Sequence, residues 1–328
     1  MMNNKDIKPL FIFSLPRAGS TLLQRMLATN EKISSAAEPW VLLPFFYSIR
    51  KKGIYTEYSH IDAFQALNDF MEELPSGKDD YLKSVNLAAM QLYRKVSSDT
   101  AKYFLDKTPR YHLICDEIIQ AFPNGKFIFL WRNPLSVIAS FIETWGEGNW
   151  IVFKHKVDLF DGINSMTESY IKHRNNILSI KYEDLVESME SNMLDVYNYL
   201  DLEVIDGKHE GFSNVNFSGM MGDPTGVKNY KKISQEPLEK WKKTLCNPLR
   251  KAWCRRYLKM IGPDKLETMG YDLNVLIKEI NAIPFCSRKI FSDICMMAFG
   301  VFFCMFEPNI MRDKLRSFSS KDKIKRHS

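Results

Sequence analysis

The run Pro16-Arg17-Ala18-Gly19-Ser20-Thr21 brings a guanidinium, a glycine and two hydroxyls together within six residues. These are groups suited to holding a phosphate or sulfate. Glycine lets backbone N–H groups approach an anion closely, hydroxyls add donors, and arginine presents a planar fork of charge-assisted donors. The run follows the apolar stretch Leu10-Phe11-Ile12-Phe13 and precedes Leu22, Leu23, Met26 and Leu27 at helical spacing. It is therefore predicted to join a buried strand to a helix N-terminus, where unpaired N–H groups and the helix dipole attract an anion. An ordinary capped turn is the plainer alternative, because Ser and Thr also cap helices. The run is not a Walker A loop. That pattern requires GxxxxGK[ST], whereas Ser14 stands at the first glycine position and no lysine precedes Ser20.

A second candidate site follows another apolar run, Phe127-Ile128-Phe129-Leu130-Trp131. Arg132-Asn133-Pro134 ends it. Leu135, Ile138, Ala139 and Ile142 then continue at helical spacing, with Pro134 suited to a first turn. Arg132 leaves the strand, so this strand end, like the first, carries an Arg and hydroxyl side chains. A surface charge is the alternative for Arg132 taken alone.

Positioning these groups requires a particular set of elements. A third apolar run, Ile177-Leu178-Ser179-Ile180, precedes Lys181-Tyr182-Glu183-Asp184. Helical patterns fill 60–74, 81–97, 112–121, 157–176, 185–200, 236–245 and 249–260. Strands alternating with helices predict an α/β fold with a mainly parallel sheet. Ligands of such sheets bind beyond the carboxyl ends of the strands, so the two anion sites are expected to converge there. Residues 211–235 read as loop, punctuated by Gly211, Gly219, Gly222, Pro224 and Gly226.

Composition narrows the function classes. The 328 residues are 45% hydrophobic and carry a formal charge of +6. Much of that charge sits in 307–328, where seven Lys/Arg face Glu307, Asp313 and Asp322. The body is thus not a nucleic-acid binder by charge. Six cysteines form no CxxC pair and have no histidine at metal-finger spacing, so free thiols and no metal are expected. The N-terminal MMNNKDIKPL has no apolar stretch before Pro9, which predicts a cytoplasmic body. Residues 294–306 are free of charge but number only thirteen, short of the about 20 needed to span a bilayer. They read as a docking helix or as an interfacial anchor whose basic tail suits an anionic leaflet. The expected organisation is a catalytic domain over 1–280 and an apolar helix with basic tail over 281–328.

FIFSLPRAGSTLLQRMLATN resembles the 5′-phosphosulfate loop of sulfotransferases that use 3′-phosphoadenosine-5′-phosphosulfate (PAPS), and KFIFLWRNPLSVIASF resembles their 3′-phosphate motif. KTP at 107–109, KYEDL at 181–185 and the GDP…LEKW stretch resemble the branch with tyrosylprotein sulfotransferases and bacterial sulfotransferase-like proteins. The resemblance runs from about 9 to 245. It implies a P-loop-NTPase-like parallel sheet flanked by helices, here with a helical C-terminal extension. It implies PAPS as co-substrate and no metal. Arg17, Ala18, Gly19, Ser20 and Thr21 are implied to hold the 5′ end, and Arg132 and Ser140 the 3′-phosphate. Tyr182 is implied to lie near the adenosine. Lys228, Lys231 and Lys232 are implied to form a late basic loop over the donor phosphates, although this segment departs from the RKG-type loop of cytosolic members. Glu38, in Ala36-Ala37-Glu38-Pro39-Trp40, resembles the general base, with His112 the other candidate. Lys107 and Arg17 are suited to stabilising charge on the leaving side.

The expected reaction is in-line sulfuryl transfer to an acceptor hydroxyl, with a glycan or lipid-linked sugar favoured. Trp40, Phe45, Phe46, Tyr47, Trp145, Trp150 and Phe153 are candidates to line the acceptor pocket. Two other readings compete: a P-loop nucleotide phosphotransferase, and a non-catalytic membrane-associated protein that retains the fold. The localisation expected is cytoplasmic, with contact at a membrane surface through the C-terminal segment.

Overall fold

Short apolar runs become the strands of one parallel sheet in the computed structural model. It describes residues 6–307 except 52, 57, 204–210, 213, 214, 216 and 218–235. The strands are β1 (Lys8–Phe13), β2 (Ile33–Ser35), β3 (Tyr103–Asp106), β4 (Lys126–Trp131) and β5 (Ile177–Lys181), in the order β2-β3-β1-β4-β5. Every adjacent pair is parallel. The helices are α1 (Ser20–Leu27), α2 (Leu42–Ser48), α3 (His60–Glu72), α4 (Lys78–Val96), α5 (Cys115–Ala121), α6 (Pro134–Thr144), α7 (Ile163–His173), α8 (Tyr182–Glu187) and α9 (Met189–Tyr199). After them come α10 (Glu236–Thr244), α11 (Pro248–Ile261), α12 (Pro263–Thr268), α13 (Leu273–Ala282) and α14 (Ile290–Phe306).

Strands covered on both faces must be apolar at every position, not alternately. β1 and β4 meet that demand. Phe11, Phe13, Phe127 and Phe129 stack on one face, where α4, α5, α6 and α7 pack. Leu10, Ile12, Ile128 and Leu130 point to the other, which α1, α8 and α9 cover. The expected α/β class and parallel sheet are therefore what the chain adopts. The runs at 10–13, 127–131 and 177–180 are strands, and the helical patterns hold with shifted ends.

Two strands and three helices, α2, α12 and α13, lie outside those expectations. β3 is only four residues, Tyr-Phe-Leu-Asp, and β2 is Ile-Ser-Ser, with no apolar pattern of its own. Both are held by pairing: β3 sits between β1 and β2, and Lys8 pairs with Tyr103. α2 buries Leu42 and Phe46 and ends before Ile49.

The C-terminal helix α14 docks through a buried ion pair. Arg250 Nε and Nη2 donate to the Asp293 carboxylate at 2.6 and 2.8 Å, and Asn247 donates to the same group at 2.6 Å. Arg250 also donates to the carbonyls of Thr244 and Gly148. Breaking a buried pair of this kind costs about 3–5 kcal/mol because one charge is left uncompensated. Gly300 lets the helix close on Phe153, whose ring a Cβ there would meet.

Candidate active site

Register brings the predicted groups to one edge of the sheet. β1 lies between β3 and β4, and β3 pairs with β2. The loops leaving the C-terminal ends of β1, β2, β3 and β4 carry Arg17, Glu38, Lys107 and Arg132 respectively. This is where a parallel sheet binds its ligand.

The loop after β1 makes a tight turn. Ala18 N–H donates to the Leu15 carbonyl at 3.2 Å, and Arg17 and Gly19 take left-handed φ values of 66° and 95°. Gly19 caps α1 through its backbone, its carbonyl accepting from Leu22 and Leu23. Among the described residues, the N–H groups of Ser20 and Thr21 find no acceptor, as expected at a helix start. A Cβ on Gly19 would strike the ring of Tyr182. Gly19→Val is therefore expected to lower stability by about 1–3 kcal/mol, from left-handed backbone strain and the clash. It is also expected to abolish anion binding at this loop. Thermal melting and calorimetry with 3′,5′-ADP read the two effects, and an unchanged midpoint with unchanged affinity would contradict this reading.

The two anion sites converge. Arg17 Nε donates to Ser140 Oγ at 3.2 Å, and Arg132 Nη1 donates to the Arg17 carbonyl at 2.6 Å. The Arg132 guanidinium stacks over the Tyr182 ring, 4.3 Å from its centroid. Arg132 Nε is buried without a hydrogen-bond partner among the described residues. Buried donors are normally satisfied, so this one is suited to a ligand acceptor. Tyr182 is buried at the start of α8, beneath both Gly19 and Arg132. Its neighbour Glu183 accepts from Asn133 N–H at 3.0 Å and from the Tyr271 hydroxyl at 2.6 Å, which ties the KYEDL segment to the loop after β4.

Glu38 and Lys107 meet on the other side of β1. Lys107 Nζ donates to Glu38 Oε1 at 2.7 Å, with side-chain exposures of 2% and 9%. Trp40 Nε1 donates to Glu38 Oε2 at 3.4 Å, so an ammonium and an indole N–H flank this carboxylate. The pairing follows from β2 and β3 being neighbours in register, Ser35 opposite Leu105. Gln24 helps to place the strand-end loop. Buried in the apolar face of α1, its amide donates to Ser35 Oγ and to the carbonyls of Ala36 and Ala37.

Asp106 braces the same loop from below. Its carboxylate accepts from the Tyr93, Tyr111 and Thr108 hydroxyls at 2.6, 3.0 and 3.0 Å. Thr108 and Tyr111 in turn accept from the N–H groups of Trp40 and Leu42, two and four residues past Glu38. Burial pushes the Asp106 carboxyl up from 3.8 to about 6, against the pull of those hydroxyls and of Lys107. The native state thus keeps this proton over a range where the unfolded chain has lost it. Its contribution to stability is full below about pH 4 and falls as pH rises to about 6. The stability of the wild type relative to Asp106→Asn is expected to drop by up to about 3 kcal/mol across that window. Urea unfolding at a series of pH values measures it; a flat difference would refute the assignment.

Beside this network lies a second buried carboxylate with the opposite behaviour. Asp158 Oδ1 accepts from Arg110 at 2.8 Å and lies 3.2 Å from His112 Nε2, with His155 Nδ1 at 3.7 Å from Oδ2. Burial pulls its carboxyl up, but the neighbouring His112 and His155 imidazoles and the Arg110 charge outweigh this and hold it well below the usual range. His112 itself is fully buried, with Nδ1 donating to the Pro109 carbonyl. It lies between the Pro109 carbonyl and the Asp158 carboxylate.

The aromatic residues divide. Phe46 and Trp150 are core, 0% and 2% exposed, which removes them from the acceptor pocket. Trp40 is half-buried beside Glu38, and Trp145 is exposed, stacked on Phe141 and His155. Lys228, Lys231 and Lys232 lie outside the described residues. Gln24, Asp106 and Glu183 are the positioning residues that sequence reasoning missed. Gln24 alone had a signal, as a polar residue among the apolar positions of α1.

Comparison with known proteins bears on the family and the fold. The sulfotransferase family model matches residues 9–206. The nodulation protein NoeE of Sinorhizobium fredii (strain NBRC 101917 / NGR234) is 29% identical over 148 residues, covering 44% of this chain and 34% of NoeE. An uncharacterized protein of Aquifex aeolicus (strain VF5) is 29% identical over 135 residues, covering 40% of this chain and 16% of that protein. The matches thus span about a third or less of the length of these curated relatives. The sulfotransferase domain from the curacin biosynthetic pathway superposes with a TM-score of 0.53 at 22% identity, over 78% of this chain and 97% of that domain, a likeness of fold. The family model takes in more than half of the chain, including both anion loops, Glu38, Lys107 and Tyr182, and the chain belongs to the sulfotransferase family.

Proposed function

We propose that the protein transfers the sulfuryl group of PAPS to an acceptor hydroxyl. The observation that carries this reading is the convergence of two strand-end loops on one anion-binding surface. Arg17 reaches Ser140, Arg132 reaches the Arg17 carbonyl, and Arg132 Nε has no partner among the described residues. Two adjacent cationic loops suit a nucleotide with anions at both ends. The residues present fit such a donor. Ser20 and Thr21 N–H groups and Arg17 would hold its 5′ end, and Arg132 and Ser140 its 3′-phosphate. The donor supplies an activated sulfuryl group whose bond to the 5′-phosphate breaks as the acceptor oxygen bonds to sulfur, leaving 3′,5′-ADP.

The residues of the chain supply the rest. Glu38 accepts the proton of the acceptor hydroxyl as that oxygen attacks. Lys107 and Arg17 neutralise the negative charge that grows on the leaving phosphate oxygen, the kind of preorganised contact that usually dominates catalysis. The Glu38–Lys107 contact has a consequence for order of binding. The lysine neutralises the carboxylate while no donor is present. An arriving phosphosulfate is a competing anion for its ammonium, and drawing Lys107 toward it leaves Glu38 available as base. Half-buried Trp40, hydrogen-bonded to Glu38, offers a face on which a sugar ring can stack. This favours a glycan or lipid-linked sugar hydroxyl as acceptor.

Titration calorimetry of the folded chain with 3′,5′-ADP, and separately with ATP and Mg²⁺, tests the donor. Binding of 3′,5′-ADP with no ATP hydrolysis is the expected result. Failure to bind at millimolar concentration would overturn the proposal, and Mg²⁺-dependent ATP turnover would favour the phosphotransferase reading. Transfer of labelled sulfate from PAPS to pools of glycans, lipids, peptides and phenols identifies the acceptor class.

A further inference from the structure

Helix α14 is apolar around most of its circumference, but the described residues cover only one side of it. Asp293, Met296, Met297, Gly300 and Phe303 recur at the spacing of one helical face and meet the domain, through Arg250 and Phe153 among others. The opposite face recurs at the same spacing and is left uncovered by the described residues. Phe291, Ile294, Val301, Phe302, Met305 and Phe306 are all exposed, between 51% and 81%. No charged residue interrupts the helix after Asp293. A soluble surface rarely leaves so continuous an apolar strip uncovered.

The charges around the strip are mostly basic, with Glu307 the acidic residue at its end. Arg288 and Lys289 precede the helix, and exposed Lys154 and Lys156 border it, Lys156 lying 3.8 Å from Glu307. Beyond it, residues 308–328 contain seven Lys/Arg against Asp313 and Asp322. No helix among the described residues is long and apolar enough to cross a membrane, and α14 is already pinned to the domain along its inner face.

We propose that this outer face lies flat on an anionic phospholipid surface, with the apolar side chains in the headgroup–acyl boundary and the flanking lysines and arginines against the headgroups. An apolar strip combined with a basic cluster is the pair of signals that gives stable peripheral binding, each being marginal alone. Charge decides the occupant. A second copy docked by the same face would bring two basic tails together, whereas an anionic leaflet offers the opposite charge.

Co-sedimentation of the full chain with vesicles tests this, using phosphatidylcholine alone or mixed with phosphatidylglycerol. The chain is expected to partition onto the mixed vesicles, to do so less as salt is raised, and to bind phosphatidylcholine weakly. The double variant Val301→Asp/Phe302→Asp is expected to weaken partitioning at least about tenfold with an unchanged melting temperature, because both side chains point away from the domain. Replacing Lys321, Lys323, Lys325 and Arg326 by glutamine gives a second variant outside the described fold, expected to lose the preference for phosphatidylglycerol. Absence of binding to either vesicle, or binding indifferent to the double variant, would overturn the proposal. So would a concentration-dependent dimer that the double variant dissociates without any vesicle binding, which would assign the face to a second copy.

Discussion

Glu38→Gln is expected to reduce kcat by about 10²–10⁴-fold, the usual worth of a positioned proton acceptor, while leaving the affinity for 3′,5′-ADP nearly unchanged. The substitution is close to isosteric. Its amide oxygen still accepts from Lys107 in place of Oε1, now at 2.7 Å, so the loop between β2 and α2 keeps its anchor. Gln24, Thr108 and Tyr111 hold the backbone of that loop independently of the Glu38 side chain. Loss of turnover with retained donor binding would then report on proton removal and not on collapse of the site. Steady-state kinetics with a labelled donor, beside calorimetry and a thermal melt, separate the two. Wild-type turnover in the variant would remove Glu38 as the base.

Lys107→Met is expected to lower kcat by about 10²–10³-fold, the effect of deleting one preorganised donor to a developing anion. Methionine fills much of the lysine stem, which is buried at the end of β3. The variant therefore removes charge more than volume. It also leaves the Glu38 carboxylate with Trp40 Nε1 as its remaining neighbour, so part of the loss comes from a base that is no longer held in place. The double variant Glu38→Gln/Lys107→Met discriminates. Residues in direct contact are not additive, and the double variant is expected to be little slower than the worse single one. Fully multiplicative losses would mean that the two side chains act independently, contrary to the 2.7 Å contact.

The two buried carboxylates near this pair show why composition could not assign roles. Asp106 and Asp158 are both deeply buried, yet burial dominates one and its partners dominate the other. Asp106 has hydroxyls as its direct partners, which stabilise a carboxylate only in part. Asp158 has a guanidinium and two imidazoles. Some partners are local, Thr108 for Asp106 and His155 for Asp158, but Tyr93 from α4 and Arg110 from the turn after β3 come from separate segments, so no local pattern announces the whole set.

Much of the candidate site's geometry was nonetheless readable in the sequence. The loop from Pro16 to Thr21 and the Arg132…Ser140 pair each follow an apolar run long enough to be a buried strand, and each opens a helix with clear periodicity. Local chemistry there dictates local structure: glycine admits the left-handed turn, proline fits the first helical turn, and a run of Phe, Ile and Leu has nowhere to go but the middle of a sheet. Because the strands are parallel, their carboxyl ends fall on one edge, and the convergence of the loops follows. That much, together with the α/β class, the sequence determined by itself.

The tertiary structure decided what pairing alone can decide. β2 and β3 are too short and too mixed to declare themselves; the register of their neighbours makes them strands, and that register sets Glu38 against Lys107. His112 and Glu38 are both candidate bases in the sequence, and the fold gives them different partners, the histidine beside Asp158 and the glutamate against Lys107 at the sheet edge. Phe46 and Trp150 were pocket candidates that packing claimed for the core. The apolar segment at the C-terminus gained two distinct faces only when Asp293 met Arg250 and Gly300 met Phe153. The physical reason is common to all four: the deciding contacts join residues far apart in the chain, and a one-dimensional pattern carries the periodicity of each element but not the identity of what it packs against.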